Sequence, residues 1–168
     1  MDERTWTTVD KTGWKPGPWK TEVDKLQWPD PATGLPCLIR RAGLGHLCGY
    51  VGVPPGHPFY GVAWEDLPEL SPDVNYAAAC QEGPEGETIC HVPGPGEPDH
   101  LWWLGFDCGH AWDIQPNRPR LTLDGYDDVN ERLNEHIIAG GGAYRTVEVV
   151  RAIVTILAAQ VAALSAAT

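Results

Sequence analysis

Six side chains of the kinds that carry protons or hold metals sit just past apolar, strand-like runs: His57, Cys90, Asp107, Cys108, His110 and Asp113. A rigid sheet commonly presents its functional groups on the loops that leave its strands. If the three loops involved reach one rim, they pool imidazole, thiol and carboxylate in a single strand-end pocket. Two chemistries suit that set. Thiolate and imidazole are zinc ligands, four of them in a structural site and three plus water in a catalytic one. The candidate ligands are Cys80, Cys90, Cys108 and His110, and the spacing Cys108-x-His110 brings two of them together. Paired CxxC hooks, the strong signature of such a site, are absent from the sequence. The other chemistry is metal-free acid–base work. Here His57 or His110 acts near neutral pH, Asp107 or Asp113 orients the ring, and Cys108 serves as a nucleophile if a histidine lowers its pKa. Against both stands a structural reading, in which cysteines pack, histidines close loops and aspartates accept backbone N–H groups in turns. His46, His100 and His136 are assigned to that reading.

These residues need a scaffold, and the apolar pattern supplies one. Residues 37–53 read as a β-hairpin around Ala42-Gly43-Leu44-Gly45. Pairing Arg41 with His46 would put Cys37, Ile39, Cys48 and Tyr50 on one face. The segment 87–92 reads as a short strand and 101–107, with Trp102 and Trp103, as a central one. Asp73 to Cys80 reads as one or two helical turns. The first 34 residues hold Trp6, Trp14, Trp19 and Trp28 at irregular spacing among turn formers, which suggests an extended arm clamped on by buried rings. Towards the C-terminus, Tyr126, Val129, Leu133 and Ile137 fall at helical spacing. Asp127 and Asp128 suit the first turn, and Gly140-Gly141-Gly142 stops the helix. A second helix starts near Thr146, with Val147, Val150, Val154, Leu157, Val161 and Leu164 forming a heptad-type seam beside a stripe of Val149, Ile153 and Ile156.

The expected fold class is therefore α+β. A small, mostly antiparallel sheet is packed by a long C-terminal helix and wrapped by a Trp-rich irregular arm. All of it forms one domain, with the arm at 1–34, sheet and loops at 35–123 and a helical part at 124–168. The seam also invites a second copy of the chain, a homo-oligomer through the C-terminal helix.

Composition limits the partners. The 168 residues carry 12 Lys+Arg against 23 Asp+Glu, a net charge of −11. That excludes general nucleic-acid binding, which rests on neutralising phosphates. The longest uncharged run, 152–168, falls short of the ~20 residues a bilayer needs, so no membrane span is expected. Five cysteines cannot all pair within one chain. The opening Met1–Trp6 shows no secretory pattern, so a reducing cytoplasm is the expected location, with free thiols or metal ligation outranking disulfides. Nucleotide-loop and common hydrolase signatures are missing.

The blocks Gly34–Ile39, Leu47–Pro58, Ile89–Pro93, Pro98–His110 and Ala143–Thr146 resemble a family of uncharacterised small proteins encoded by bacteriophages and prophages. The resemblance runs from about Trp14 into the C-terminal helix. It implies production inside a bacterial host and a role in host takeover, defence evasion or virion assembly, and it is silent on activity. The resulting expectation is a soluble phage-type accessory protein whose pocket binds a small ligand or zinc, with hydrolysis as an option. The alternative is a non-catalytic oligomeric protein that engages a host or virion protein.

Overall fold

The computed structural model describes residues 1–118 and 129–166. Six strands make one sheet: β1 (Arg4–Trp6), β2 (Lys25–Pro29), β3 (Pro36–Arg41), β4 (Leu47–Val53), β5 (Tyr76–Ala79) and β6 (Trp102–Asp107). Their spatial order is β1-β2-β3-β4-β6-β5, and every neighbouring pair is antiparallel. Two helices follow, α1 (Val129–Ala139) and α2 (Val147–Ser165). This is the α+β class that the pattern implies. The anticipated helix start at Tyr126, Asp127 and Asp128 lies outside the described residues.

The alternation of side chains along the strands splits the core in two. Cys37 and Ile39 of β3, Val51 and Val53 of β4, and Leu104 and Phe106 of β6 face α2. From the helix come Val150, Val154, Leu157, Ala158 and Val161, all fully buried. Thr146 caps α2, its side chain accepting from Val149 N, which satisfies one of the free donors at the helix start. Gly49 is what lets the helix come this close: a Cβ there would lie 2.5 Å from both Phe106 and Val154. The helix is long and apolar enough to cross a bilayer by length and composition, yet its seam packs on the chain's own sheet. Leu157, the centre of that seam, has no exposed surface, whereas Val149 and Ile156 of the neighbouring stripe remain exposed.

The opposite face carries Leu38, Cys48, Tyr50 and Trp103, covered by Ile89 and Leu101. No strand forms at 87–92, contrary to the sequence reading. Several of the segment's backbone groups are taken by side chains, and others by local turn bonds to Pro84 and Gln81, instead of a ladder. Gln27 accepts from Val92 N at 2.8 Å and donates to Val92 O at 3.1 Å. Lys25 donates to the carbonyls of Cys90 and Glu85, and Arg40 to that of Glu87. Gln27 and Lys25 are themselves completely buried.

Three further local expectations are corrected. The arm is not merely a strap, because it contributes β1 and β2. Lys25-Leu26-Gln27-Trp28 alternates in type, but the polar members point into a buried polar layer rather than into water. Residues 76–79 are the edge strand β5, not helix. The hairpin register is one residue off the simple pairing: Arg41 opposes Leu47 and Cys37 opposes Val51. A five-residue turn, closed by Ala42 N on His46 O and turned by Gly45 at φ 89°, accounts for the slip. One residue of slip moves side chains to the other face, so Cys37 and Ile39 part from Cys48 and Tyr50.

Asp24, also buried, ties the arm to the hairpin. Its carboxylate accepts from Thr8 N and Val9 N, each at 2.9 Å, and from Arg41 Nε at 2.8 Å, and it pairs with Lys11. Arg41 continues the network to Glu22 and the Tyr144 hydroxyl. Burial works against the Asp24 charge, but Lys11, the Val9 N–H and Arg41 outweigh it and hold the carboxyl below its ordinary range.

Candidate functional site

β6 ends at Asp107, and Cys108 N still pairs with Leu47 O at 3.0 Å, so the chain leaves the sheet in a fixed direction. A tight turn follows, Asp113 N donating to His110 O at 3.0 Å. Asp113 is the hub of this turn. Its Oδ2 lies 3.2 Å from both His110 N and His110 Nδ1, and its Oδ1 accepts from Arg145 Nε at 3.4 Å. Its backbone bridges to Ala143, joining the β6 loop to the segment that enters α2. A carboxylate accepts only, so the bonded Nδ1 carries the hydrogen, and in the neutral ring Nε2 keeps the lone pair. The ring, 49% exposed, stacks on Trp112 with centroids 5.5 Å apart and planes 7° from parallel. Trp112 itself is 61% exposed.

Asp107 sits beside this turn. Its Oδ1 accepts from Gly109 N at 2.7 Å and its Oδ2 from Asn75 Nδ2 at 2.6 Å. Burial opposes its charge, yet those two bonds prevail and hold its pKa below the ordinary carboxylate value. His46 lies against Gly109, where a Cβ would be 2.8 Å from its ring. Its Nδ1 is buried without a hydrogen-bond partner, and burial lowers its pKa against the pull of Asp107 and Asp113. His46 belongs to this cluster although it looks like an ordinary strand-opening residue. The signal that finds it is pairing: the antiparallel register of β4 on β6 places the start of β4 beside the end of β6.

The pocket here has a volume of about 290 Å³. Asp73, Asp107, Cys108, His110, Trp112, Asp113 and Arg145 line it. Its far wall is braced by Gln160 of α2, which accepts from Ser71 N at 3.0 Å and donates back to Ser71 O at 2.6 Å.

So Asp107, Cys108, His110 and Asp113 do come together, whereas His57 and Cys90 do not join them. Because β4 and β6 are antiparallel, Val53 pairs with Trp102 and Cys48 with Asp107, and the loop after β4 opens at the opposite end of the sheet. There His57 Nδ1 accepts from Phe59 N at 3.1 Å and the two rings pack edge to face, which is a loop-closing role. Cys90 is bonded to Cys80 in a disulfide, so neither sulfur is a metal ligand in this state, and the four-ligand set Cys80, Cys90, Cys108, His110 is not assembled. Among the described residues, the group that does gather potential ligand atoms is Cys80, Cys90 and His91. Cys37, Cys48 and Cys108 are free and buried. Burial, reinforced by Asp113, pushes the Cys108 thiol up to about 12, the reverse of what a nucleophile needs.

The fold and site define a small α+β protein with an open, acidic pocket at one end of an antiparallel sheet. Compared with protein-family models, curated proteins and solved structures, the chain returns no match.

Proposed function

We propose that this chain is a phage-type accessory protein whose strand-end pocket binds a small cationic ligand, one carrying an ammonium or guanidinium group. The observation that carries this reading is the largely exposed Trp112 ring lining the same pocket as Asp73, Asp107 and Asp113, with Arg145 as the one arginine among the pocket residues. Arg145 and His110 both engage Asp113, which leaves Asp73, and the lone pairs of Asp107 not used by Gly109 N and Asn75, to face a ligand. A cation over an aromatic ring gains about 0.5–2 kcal/mol, and the adjacent carboxylates add direction. The chain's net charge of −11 attracts the same class of ligand from a distance.

Hydrolysis is the narrower form of this reading. His110 Nε2, held by Asp113 through the opposite nitrogen, is the group there arranged to take a proton. The zinc set expected from the sequence is not assembled in this pocket, because Cys80 and Cys90 are paired in a disulfide. A second reading, self-association or attachment to a host or virion protein, rests on the exposed Val149 and Ile156 of α2.

Arginine amide titrated into the protein should give a saturable change in indole fluorescence. Trp112→Ala should abolish it, and Asp107→Asn should weaken it about tenfold, the equivalent of ~1.4 kcal/mol. No saturable response, or an unchanged response in the Trp112 variant, overturns the proposal.

A further inference from the structure

A second cluster of reactive groups lies against the other face of the sheet, away from the strand-end pocket. The sulfurs of Cys80 and Cys90 and a ring nitrogen of His91 all lie within 4.8 Å of one another. His91 is only 6% exposed. Its ring hydrogen-bonds the Pro98 backbone, while its Nδ1 is buried with no partner. A neutral imidazole that gives its one N–H to a carbonyl keeps a lone pair on the other nitrogen. That is how metal-ligating histidines are held, the outer bond fixing ring and tautomer. A buried acceptor left unmet carries a desolvation penalty, so the free lone pair asks for an occupant. The surroundings also favour negative sulfur: Trp103 Nε1 donates to Cys80 Sγ at 3.4 Å, and the Lys25 ammonium holds the Cys90 carbonyl at 2.7 Å.

We propose that the reduced chain binds one Zn²⁺ through Cys80 Sγ, Cys90 Sγ and His91 Nδ1, and that the disulfide is the metal-free form of the same site. The disulfide takes two electrons and two protons from a dithiol, which is itself oxidised to a disulfide. Zinc then displaces both thiol protons as two Zn–S bonds and one Zn–N bond form. At Zn–S distances near 2.3 Å, tetrahedral ligands sit about 3.8 Å apart. The sulfurs must therefore separate after reduction, while the histidine needs little movement. A fourth position stays open for water. His91 also lines a cavity of about 230 Å³, with Leu35, Pro54, Glu97 and Leu101 on its walls. None of this depends on the cationic-ligand pocket, so either proposal can fail alone.

The test uses the full chain, reduced with a dithiol and desalted without oxygen, with Co²⁺ as a spectroscopic stand-in and Zn²⁺ as competitor. Reduced protein should bind one equivalent of Co²⁺ with a thiolate-to-metal charge-transfer band that Zn²⁺ displaces; oxidised protein should show none. Cys90→Ser should remove the band, His91→Gln should weaken binding at least tenfold, and Cys108→Ser should leave it intact. In unmodified protein, Zn²⁺ should slow alkylation of Cys80 and Cys90 selectively, a readout that needs no variant to fold. Absence of the band, an unchanged Co²⁺ affinity in the His91 variant, or unprotected alkylation at those two thiols overturns the site.

Discussion

The two faces of the sheet are covered in unlike ways. On one, a regular helix lays five buried aliphatic side chains into the strands, and the helix meets its own hydrogen bonds. On the other, an irregular segment lies over Leu38, Tyr50 and Trp103, and the sheet must reach out to satisfy it with Lys25, Gln27 and Arg40. The first cover is held by apolar area, the second by a few buried polar contacts and one disulfide. An irregular cover costs specific side chains, but it can carry chemistry. The Cys80, Cys90, His91 group lies on that side, whereas the free thiols of the helix side, Cys37 and Cys108, are buried.

The contrast can be broken most severely from the helix side. Leu157→Ala opens a cavity under α2 and should cost ~2–5 kcal/mol in urea unfolding. A cost below ~1 kcal/mol would mean that the helix is not the main support of that face. On the loop side, Gln27→Leu removes the partners of Val92 N and O without opening a large void. Its cost should be ~1–3 kcal/mol, accompanied by faster proteolysis within 85–98 while the helix side stays protected. Uniform protection across both faces would erase the distinction.

Smallest are the pH effects, which draw on both faces. Cys37 and Cys108 lie on the helix side and Cys48 on the other, and burial raises all three thiols, Cys48 to about 11. The unfolded chain therefore releases these protons first, and stability falls as pH rises from about 9 towards 11. Lys25 opposes this. Burial lowers it to about 8, so it adds stability between pH 8 and its ordinary value, but with one proton against three. At the acid end, burial lowers His46 and His57. Unfolding then takes up their protons first, and stability is lost as pH falls below about 6.5. Urea midpoints measured across pH 5–11 under fixed redox conditions should show this dome; a flat profile above pH 9 would contradict the buried thiols.

The same asymmetry decides what could be read in advance. α2 was legible down to its cap because its 3-4 spacing reports one apolar neighbour. The β4 and β6 runs were legible because both faces are buried and few polar residues interrupt them. β2 was missed because Lys25 and Gln27 are buried polar residues, which a pattern of apolar and polar types scores as surface. The segment 87–92 reads as a strand because Thr88, Ile89 and Val92 have the right composition, while the partner of Val92 is a side chain 65 residues away in β2 and those of Thr88 and Ile89 are Pro84 and Gln81 in the preceding loop. At the site, Asp107, Cys108, His110 and Asp113 share one loop, so their company follows from short range. The convergence with His57 needed strand direction, and antiparallel pairing sends that loop to the far end. His46 was brought in by the same pairing. The disulfide was ranked below free thiols because cysteine spacing alone does not say which sulfurs approach.

Glu22 reaches across the molecule: its Oε1 accepts from Val147 N at 3.0 Å and its Oε2 receives the Tyr144 hydroxyl. The first turn of α2 is thus stitched to a residue more than a hundred positions earlier. Contacts of such long sequence separation carry a loop-closure cost that slows folding. The helix can gain its turns locally, but its seat is complete only once the two ends of the chain have met.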